Sequence, residues 1–244
     1  MPNKRRSLGQ HMLVDRKVLA DLMTAADIAK SETVCEAGTG KGILTAELCD
    51  RAKIVISFEI DRELYQNARQ QLHYQNLKLV SADLFKAKTV DFDVFVSNLP
   101  YSRSRDAFEW LATQKFKRAV VMVQQEFADK LRARPGDMNY RAISALATLS
   151  FKMQELFPVK KQSFEPQPLV NSVVVRILPR KIMSIEKIRS LNLLFSKRNR
   201  KANSIASRGG LRNFDSGESR IDELPVDRLA ELVELMLHSD IRSI

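Results

Sequence analysis

Apolar runs alternate with amphipathic stretches along the first 180 residues. Short apolar runs predict strands at 33–37, 53–58, 77–80, 91–96 and 118–123, with two more near 151–157 and 172–178. Apolar residues at helical spacing predict helices over 16–26, 43–51, 62–72, 103–113 and 140–149. Strands that alternate with helices in this way predict an α/β fold built on an open sheet.

The pattern changes near Ser184, where strand-like runs stop and only helical spacing continues. A closing amphipathic helix is predicted by the spacing of Leu229, Leu232, Leu235 and Leu237. We therefore predict two domains. The first is an α/β domain over residues 1–180 with a basic N-terminal arm, and the second is a small helical domain over residues 181–244.

A glycine-rich turn, residues 38–42, follows the first predicted strand and precedes a helix. Glycines such as Gly38 and Gly40 let the backbone approach a ligand closely, and the helix N-terminus presents free N–H groups. The G-x-G-x-G spacing matches neither the dinucleotide fingerprint nor a phosphate loop. Because Gly42 follows Lys41 where a phosphate loop needs Ser or Thr, the turn argues against an ATP or GTP site.

Two acidic residues follow the next two predicted strands. Glu59 lies about twenty residues past the first glycine, a position whose carboxylate commonly accepts hydrogen bonds from a ribose diol. Asp83 could accept the amino group of an adenine, or it could simply cap a helix. Nicotinamide and S-adenosylmethionine sites share the acid at Glu59, so this pair indicates a cofactor that contains adenosine.

The fourth strand ends in the tetrapeptide Asn98-Leu99-Pro100-Tyr101. The Asn98 side-chain oxygen can accept one N–H of a planar exocyclic amine, and the Leu99 carbonyl can accept the other. Pro100 favours an extended conformation at Leu99, and Tyr101 offers a flat ring on which a base can stack. An ordinary strand-to-helix turn is the alternative, because Asn and Pro are common in turns.

The candidate ligand groups all follow strands of one predicted sheet. In an open α/β sheet, ligands bind outside the carboxyl ends of the strands. The glycine turn, Glu59, Asp83 and Asn98 are therefore expected to converge on one site. This convergence is more specific than any single motif.

Charge favours a polyanionic partner. The 244 residues include 40 Lys and Arg against 29 Asp and Glu, a formal net charge of +11, which favours nucleic acid before an anionic membrane. In the basic segment 176–212, Glu186 is the only acid. This segment predicts a phosphate-contacting surface that includes Arg198, Arg200 and Lys201.

Cysteine usage and hydropathy limit the class of protein. Cys35 and Cys49 lie in apolar segments without the spacing of metal ligands, so we expect reduced core thiols and no metal site. No run approaches the length of a transmembrane helix, and the N-terminus lacks the apolar core of a signal peptide. We expect a cytoplasmic monomer that does not engage a membrane.

Two further segments leave alternatives open. Gln10 and His11 belong to a stretch that is either a lid over a ligand or part of a disordered basic tail. The prolines at 166 and 168 predict an extended loop near the strand ends. Phe164, at the start of that loop, either packs in the core or lines a pocket for a base.

In this order, the motifs resemble those of the ribosomal RNA adenine dimethyltransferases, a KsgA-like family related to the Erm methyltransferases. The resemblance covers nearly the whole chain. Its marks are residues 8–13 (LGQHML), 36–42 (EAGTGKG), 59–61 (EID), 82–83 (AD), 98–101 (NLPY), 123–126 (VQQE) and 164–172 (FEPQPLVNS). The sequence after Tyr101, Ser102-Arg103-Ser104-Arg105, is more basic than the resemblance leads one to expect.

The resemblance implies a Rossmann-like sheet with a small helical C-terminal domain, and S-adenosylmethionine as methyl donor. It implies two methylations of each of two adjacent adenosines near the 3′ end of small-subunit ribosomal RNA, on naked RNA or on the assembling subunit. Asn98 to Tyr101 would hold the acceptor base, with Phe164 beside it. The cofactor would contact Gln10, His11, Leu13, Gly38, Gly40, Glu59, Asp83 and Asn98.

Three other functions stay open on the residues alone. The chain could be a ribosome-assembly factor whose catalysis is secondary, or an adenine-N6 methyltransferase acting on large-subunit ribosomal RNA or DNA. A protein-glutamine methyltransferase could use a similar Asn-x-Pro-Tyr element. The glycine spacing and residues 98–101 disfavour a nicotinamide-dependent oxidoreductase.

Overall fold

The computed structural model describes residues 11–208, 214 and 216–238. By its internal contacts the chain divides into two compact units, residues 1–128 with 152–179 and residues 129–151 with 180–244. Residues 129–151, which the sequence analysis assigned to the first domain, group here with the second unit. The two-domain assignment itself stays a prediction.

Each of the seven predicted runs overlaps a strand of the structure. The strand bounds are β1 Met12–Leu13, β2 Thr33–Ala37, β3 Ile54–Glu59, β4 Leu77–Ser81, β5 Val94–Asn98, β6 Arg118–Gln124, β7 Phe151–Val159, β8 Phe164–Glu165 and β9 Ser172–Pro179. The two short strands, β1 and β8, were not predicted. The helices are α1 Arg16–Ala26, α2 Ile43–Cys49, α3 Arg62–Gln71, α4 Ser104–Leu111, α5 Gln125–Arg132, α6 Ala142–Ser150, α7 Ile185–Ser196, α8 Ala202–Arg208 and α9 Val226–His238.

Seven strands of the first unit form one sheet in the order β4-β3-β2-β5-β6-β9-β7. Five neighbouring strands, β4, β3, β2, β5 and β6, run parallel to one another, and β9 runs antiparallel to β6. The chain steps outward from β2 to β4 on one side and from β5 to β6 on the other. The connections therefore diverge between β2 and β5, the place where open α/β sheets bind ligands.

Residues of the central strands are buried on both faces because helices cover the sheet, as expected for a parallel arrangement. Helix α1 begins at Asp15, whose carboxylate accepts from the N–H groups of Lys17 and Val18. It buries Leu22 against the core that also contains Leu48 of α2. The predicted Rossmann-like α/β architecture is thus confirmed.

A two-stranded ribbon lies outside the main sheet. Strand β1 pairs antiparallel with β8, so that Leu13 lies opposite Phe164. The N-H groups of Val14 and Asp15 donate to the Ser163 carbonyl, and the Ser163 hydroxyl lies 2.8 Å from the Asp15 carboxylate. The ribbon ties the start of the described chain to the loop that precedes β9.

The regular secondary structure of the second unit's described residues is helical. The exceptions are Phe151, the first residue of β7, and an isolated bridge between Lys201 and Arg220. Tyr140 is fully buried and packs edge-on against Phe195 of α7, with ring centroids 5.4 Å apart. Helix α9 buries Leu229 and Leu232, as predicted, together with Val233 and Met236. The prediction was wrong for Leu237, which is exposed, and Leu235 is only partly buried. Glu234 of α9 forms an ion pair with Lys187 of α7.

Candidate active site

A cleft opens at the carboxyl ends of the parallel strands. It lies beside the point where the connections that leave β2 and β5 diverge to opposite sides of the sheet. Its empty volume, open solvent included, is about 1010 Å³. The residues that follow four successive strands line it, as the sequence predicted: Gly38, Gly40, Glu59, Asp83, Asn98 and Tyr101.

The glycine turn lines one side of the cleft with backbone atoms. Gly38, Gly40 and Gly42 all have positive φ angles, of 85°, 56° and 79°, a backbone region that side chains with a Cβ rarely adopt. A Cβ added at Gly38 would meet nothing within 4 Å, so open space lies over this residue. The turn therefore offers bare backbone to a ligand in the cleft.

Glu59 is buried at the cleft, with only 3% of the residue exposed, and is therefore not a surface carboxylate. One carboxylate oxygen accepts from the Gly40 N–H and the other from the Asp61 N–H, each at 2.9 Å. A carboxylate has about four lone-pair positions, so two remain for a ligand. Glu59 thus fixes the glycine turn and keeps capacity to accept from a diol.

A buried polar chain supports the same turn from below. The Glu36 carboxylate accepts from the hydroxyls of Thr45 (2.7 Å) and Ser57 (2.6 Å), and Ser57 in turn lies 2.6 Å from the Thr39 hydroxyl. Burial raises the pKa of Glu36 to about 7, although the two hydroxyls partly offset this effect. We name residues 36–42 and 57–61 the glycine wall.

Asp83 is a cap, one of the two roles left open by the sequence, and it also lies in the cleft. It caps a short 3-10 turn, accepting from the Phe85 N–H at 3.1 Å, and it lines the cleft. Arg103 also lines the cleft and donates through Nη2 to both carboxylate oxygens at 3.0 Å. Its guanidinium carbon lies 5.3 Å from the centre of the Phe85 ring.

The Asn98 amide is fixed by a contact far away in the sequence. Its Nδ2 donates to the His11 carbonyl at 2.9 Å, and because a carbonyl can only accept, the amide orientation follows from this bond. The Oδ1 atom is therefore the end left to accept from a ligand. Leu99, next in the chain, anchors the strand end by donating its N–H to the Met122 carbonyl at 3.2 Å.

Tyr101 is held at two points. Its hydroxyl lies 2.7 Å from the Ser172 hydroxyl at the start of β9, and its ring centroid lies 5.1 Å from that of His11. His11 Nδ1 lies 2.7 Å from the Pro166 carbonyl, so this nitrogen carries the proton and donates. Burial raises the pKa of the Tyr101 hydroxyl above its usual value. We name His11, residues 98–101 and the loop 164–172 the tyrosine wall.

The remaining candidates are placed as follows. Leu13 lines the cleft, whereas Phe164 is 3% exposed, packs in the core and is not among the lining residues. The structure thus supports the core alternative for Phe164. Gln10 lies outside the described residues. Arg198, Arg200 and Lys201 lie in the second unit, and Lys201 forms an ion pair with Glu218.

Sequence reasoning missed three contributors to the site: Arg103, Ser172 and the Ser57–Thr39 contact. Arg103 left one signal, the unexpected basic residues after Tyr101. Ser172 and Ser57 left none, because a serine in a strand is unremarkable until its partner is known.

Among the described residues, no group of three or more His, Cys, Asp or Glu side chains could hold a metal ion. Across the same part of the chain, helices long and apolar enough to cross a membrane are absent.

The family model for ribosomal RNA adenine dimethylase matches residues 1–213. A probable ribosomal RNA small subunit methyltransferase A of Pyrococcus abyssi is 37% identical over 180 residues, which cover 74% of this chain and 66% of that protein. The ribosomal RNA small subunit methyltransferase A of Thermotoga maritima is 32% identical over 236 residues, covering 94% of this chain and 84% of that protein.

Solved structures agree with these matches. A dimethyladenosine transferase from Plasmodium falciparum superposes with a TM-score of 0.77 at 26% identity, covering 95% of this chain and 99% of that chain. The 23S rRNA methyltransferase ErmE superposes with a TM-score of 0.62 at 24% identity, covering 92% and 99%. The second likeness bears on the fold alone.

Proposed function

From the premise that the chain belongs to the ribosomal RNA adenine dimethylase family, and is thus an rRNA adenine dimethyltransferase, we propose the details of its reaction. It uses S-adenosylmethionine to dimethylate N6 of two adjacent adenosines near the 3′ end of small-subunit ribosomal RNA. The substrate is the assembling small subunit in the cytoplasm, and the enzyme acts as a monomer.

The glycine wall supports S-adenosylmethionine as the donor. Open space over Gly38 suits the methionine end of the cofactor. The two uncommitted lone-pair positions of Glu59 suit the two ribose hydroxyls. Asp83 is an acceptor at the rim of the cleft, as the adenine amino group requires. His11 and Leu13 would border the methionine end.

One observation carries the acceptor chemistry, the hydrogen bond from Asn98 Nδ2 to the His11 carbonyl. It leaves Oδ1 to accept one N6 hydrogen, and we assign the other hydrogen to the Leu99 carbonyl. An adenine amine is a poor nucleophile because its lone pair is delocalised into the ring. Two acceptors on its hydrogens favour a more tetrahedral nitrogen with the lone pair free to attack.

The chain's own groups act by position and electrostatics. S-adenosylmethionine supplies, when bound, a methyl group already activated on a sulfonium. As the nitrogen gains positive charge, the carbonyl dipoles of Asn98 and Leu99 are already in place to stabilise it. Tyr101, fixed by Ser172, stacks on the extruded base. The proton leaves after transfer, so a general base is not required.

The test is a product analysis. Purified protein, methyl-labelled S-adenosylmethionine and under-methylated small ribosomal subunits are incubated, and the RNA is digested to nucleosides for mass spectrometry. We expect N6,N6-dimethyladenosine in two adjacent positions. An Asn98→Ala preparation run in parallel shows how much label depends on the site.

Three results would overturn parts of the proposal. Monomethyladenosine alone would contradict the dimethylation and indicate a tighter acceptor pocket. Label in large-subunit RNA, DNA or protein, but not in small-subunit RNA, would move the substrate elsewhere. Absence of label from every acceptor, with S-adenosylmethionine still bound, would favour an assembly factor.

A further inference from the structure

Arg103 occupies the cleft at a place where the family resemblance did not lead us to expect a basic residue. It lines the same cleft as Asp83 and Phe85. Its side chain is 31% exposed and that of Asp83 only 12% exposed. A pair this enclosed is less screened by water than an ion pair on the open surface.

The contacts of Arg103 constrain Asp83 from one side. Nη2 of Arg103 donates to both Asp83 oxygens at 3.0 Å, and the Phe85 N–H donates to Oδ1 at 3.1 Å. Three of the roughly four lone-pair positions are thereby used. The one that remains belongs to Oδ2, so the carboxylate has a single acceptor position to offer.

Two further contacts hold the guanidinium itself. Its Nε lies 2.9 Å from an Asp106 carboxylate oxygen on the first turn of α4, an ion pair without the alignment of a hydrogen bond, and its central carbon lies over the Phe85 ring. A planar guanidinium held in this way is pre-organised, which a flexible lysine ammonium would not be. Arg103 is thus the fixed member of the pair.

We propose that Arg103 is a positioning residue that directs the one free acceptor position of Asp83 at the exocyclic amine of a bound adenosine, and so sets the preference for adenine over a base with a carbonyl there. The inference rests on the proposed function of the cleft. A carboxylate can only accept hydrogen bonds, so it binds an amine and repels a carbonyl oxygen. It discriminates between the two groups only while the free acceptor position keeps a fixed direction.

Binding of nonreactive ligands tests this without turnover. Isothermal titration compares S-adenosylhomocysteine with S-inosylhomocysteine, in which a carbonyl replaces the amine. We expect the native protein to prefer the adenosyl ligand, since a hydrogen bond to a charged group is typically worth tenfold or more in affinity. In Arg103→Ala the adenosyl ligand should bind about tenfold more weakly and the preference should largely disappear.

Two companion variants separate positioning from damage to the fold. Arg105→Ala removes a more exposed arginine two residues along, paired with Glu109 at 2.8 Å, and should keep native affinities and preference. Asp83→Asn combined with Arg103→Ala should bind the adenosyl ligand no more weakly than Asp83→Asn alone, because Arg103 acts through Asp83. Thermal unfolding of each variant identifies any that are misfolded, and Arg103→Lys then replaces Arg103→Ala, with an intermediate preference expected.

The titrations distinguish a wrong cofactor from a wrong role for Arg103. If the native protein binds neither ligand, the proposed cofactor is wrong. If it prefers the adenosyl ligand and Arg103→Ala keeps the full preference, or binds more tightly, the positioning role of Arg103 is wrong while the proposed function stands. Additive losses in the double variant would likewise show that Arg103 acts independently of Asp83.

Discussion

The two walls of the cleft are built in opposite ways. The glycine wall is formed by neighbouring strands β2 and β3, and its polar groups are buried: Glu59 on two backbone N–H groups, and Glu36 on two hydroxyls. The tyrosine wall joins segments from three distant parts of the chain. His11, Asn98, Tyr101, Pro166 and Ser172 meet there through single hydrogen bonds.

This difference in construction suits the two walls to different roles, cofactor binding for the glycine wall and entry of the acceptor base for the tyrosine wall. Most buried polar groups of the glycine wall have partners, although Glu36 Oε1 has none among the described residues. A wall of this kind is largely formed before any ligand arrives, which suits a cofactor of constant shape. The tyrosine wall is held by a few hydrogen bonds of His11, Asn98 and Tyr101, which are partly exposed. Such a wall opens at lower free-energy cost, which suits a base that must enter and then carry one methyl group more. Changes in the tyrosine wall should therefore affect turnover, and changes in the glycine wall should affect cofactor binding.

The largest expected effect is that of Asn98→Ala. Loss of one acceptor for the amine hydrogens should lower turnover roughly a hundredfold or more, while S-adenosylmethionine binding stays within a few-fold. Single-turnover methylation and calorimetric titration measure the two quantities. Asn67→Ala, on the exposed face of α3, is the matched control and should change neither. Undiminished turnover in Asn98→Ala would rule out the amine-holding role.

Glu36→Gln probes the cost of burying charge in the glycine wall. A carboxyl whose pKa is near 7 when folded and near 4.5 when unfolded binds its proton more tightly in the folded chain. Its contribution to stability is thus full at acidic pH and declines as pH rises from about 4.5 to 7, by on the order of 3 kcal/mol.

Urea unfolding at several pH values between 4 and 8 measures this effect. The free energy of unfolding of the native protein should fall across that range relative to Glu36→Gln, which cannot ionise. Parallel curves for the two proteins would mean that Glu36 titrates normally and that its buried site is accessible to water.

Glu59→Gln should shift cofactor binding with little effect on the chemical step. Loss of the charge and of one acceptor oxygen should raise the KM for S-adenosylmethionine roughly ten- to hundredfold, with kcat at saturation within about threefold. Steady-state kinetics with varied cofactor measures both. Glu47→Gln is the control, because Glu47 is a partly exposed residue of α2 that pairs with Arg51 outside the cleft. A fall in kcat equal to the rise in KM would argue that the two walls are not separable.

The smallest effect concerns the contact between Tyr101 and Ser172. Ser172→Ala and Tyr101→Phe each remove the 2.7 Å hydrogen bond, worth roughly 0.5–1.5 kcal/mol. Each should lower kcat/KM for the RNA about two- to tenfold without changing cofactor affinity. Because both remove one contact, the double variant should be no worse than the singles. Additive losses would show that the two residues act separately.

Most of the glycine wall could be predicted from the sequence because its signals are local. A strand, a glycine turn and an acid at the next strand end are read from spacing alone, and the parallel sheet then brings them together. Strand starts were less accurate. The run predicted from residue 91 begins at Val94, and the carboxylate of Asp93 just before it accepts from the Thr33 N–H at 2.9 Å.

The tyrosine wall was predicted only in part. Its tetrapeptide was recognisable, but the partners that orient it were not, because no local pattern links His11 to Pro166 or Tyr101 to Ser172. Phe164 shows the same difficulty. Its choice between core and pocket depended on the pairing of β8 with β1, a contact between the two ends of the first unit's sequence.

The long-range origin of the tyrosine wall also sets an order for biosynthesis. On the ribosome all residues of the glycine wall have been added once residue 61 is in place, and the strand that carries Asn98 follows soon after. The hydroxyl that holds Tyr101 arrives only with residue 172, and β9 must then insert beside β6. Non-local pairings of this kind form slowly, and the residues proposed to bind the cofactor are all synthesised before the contact that holds Tyr101 can form.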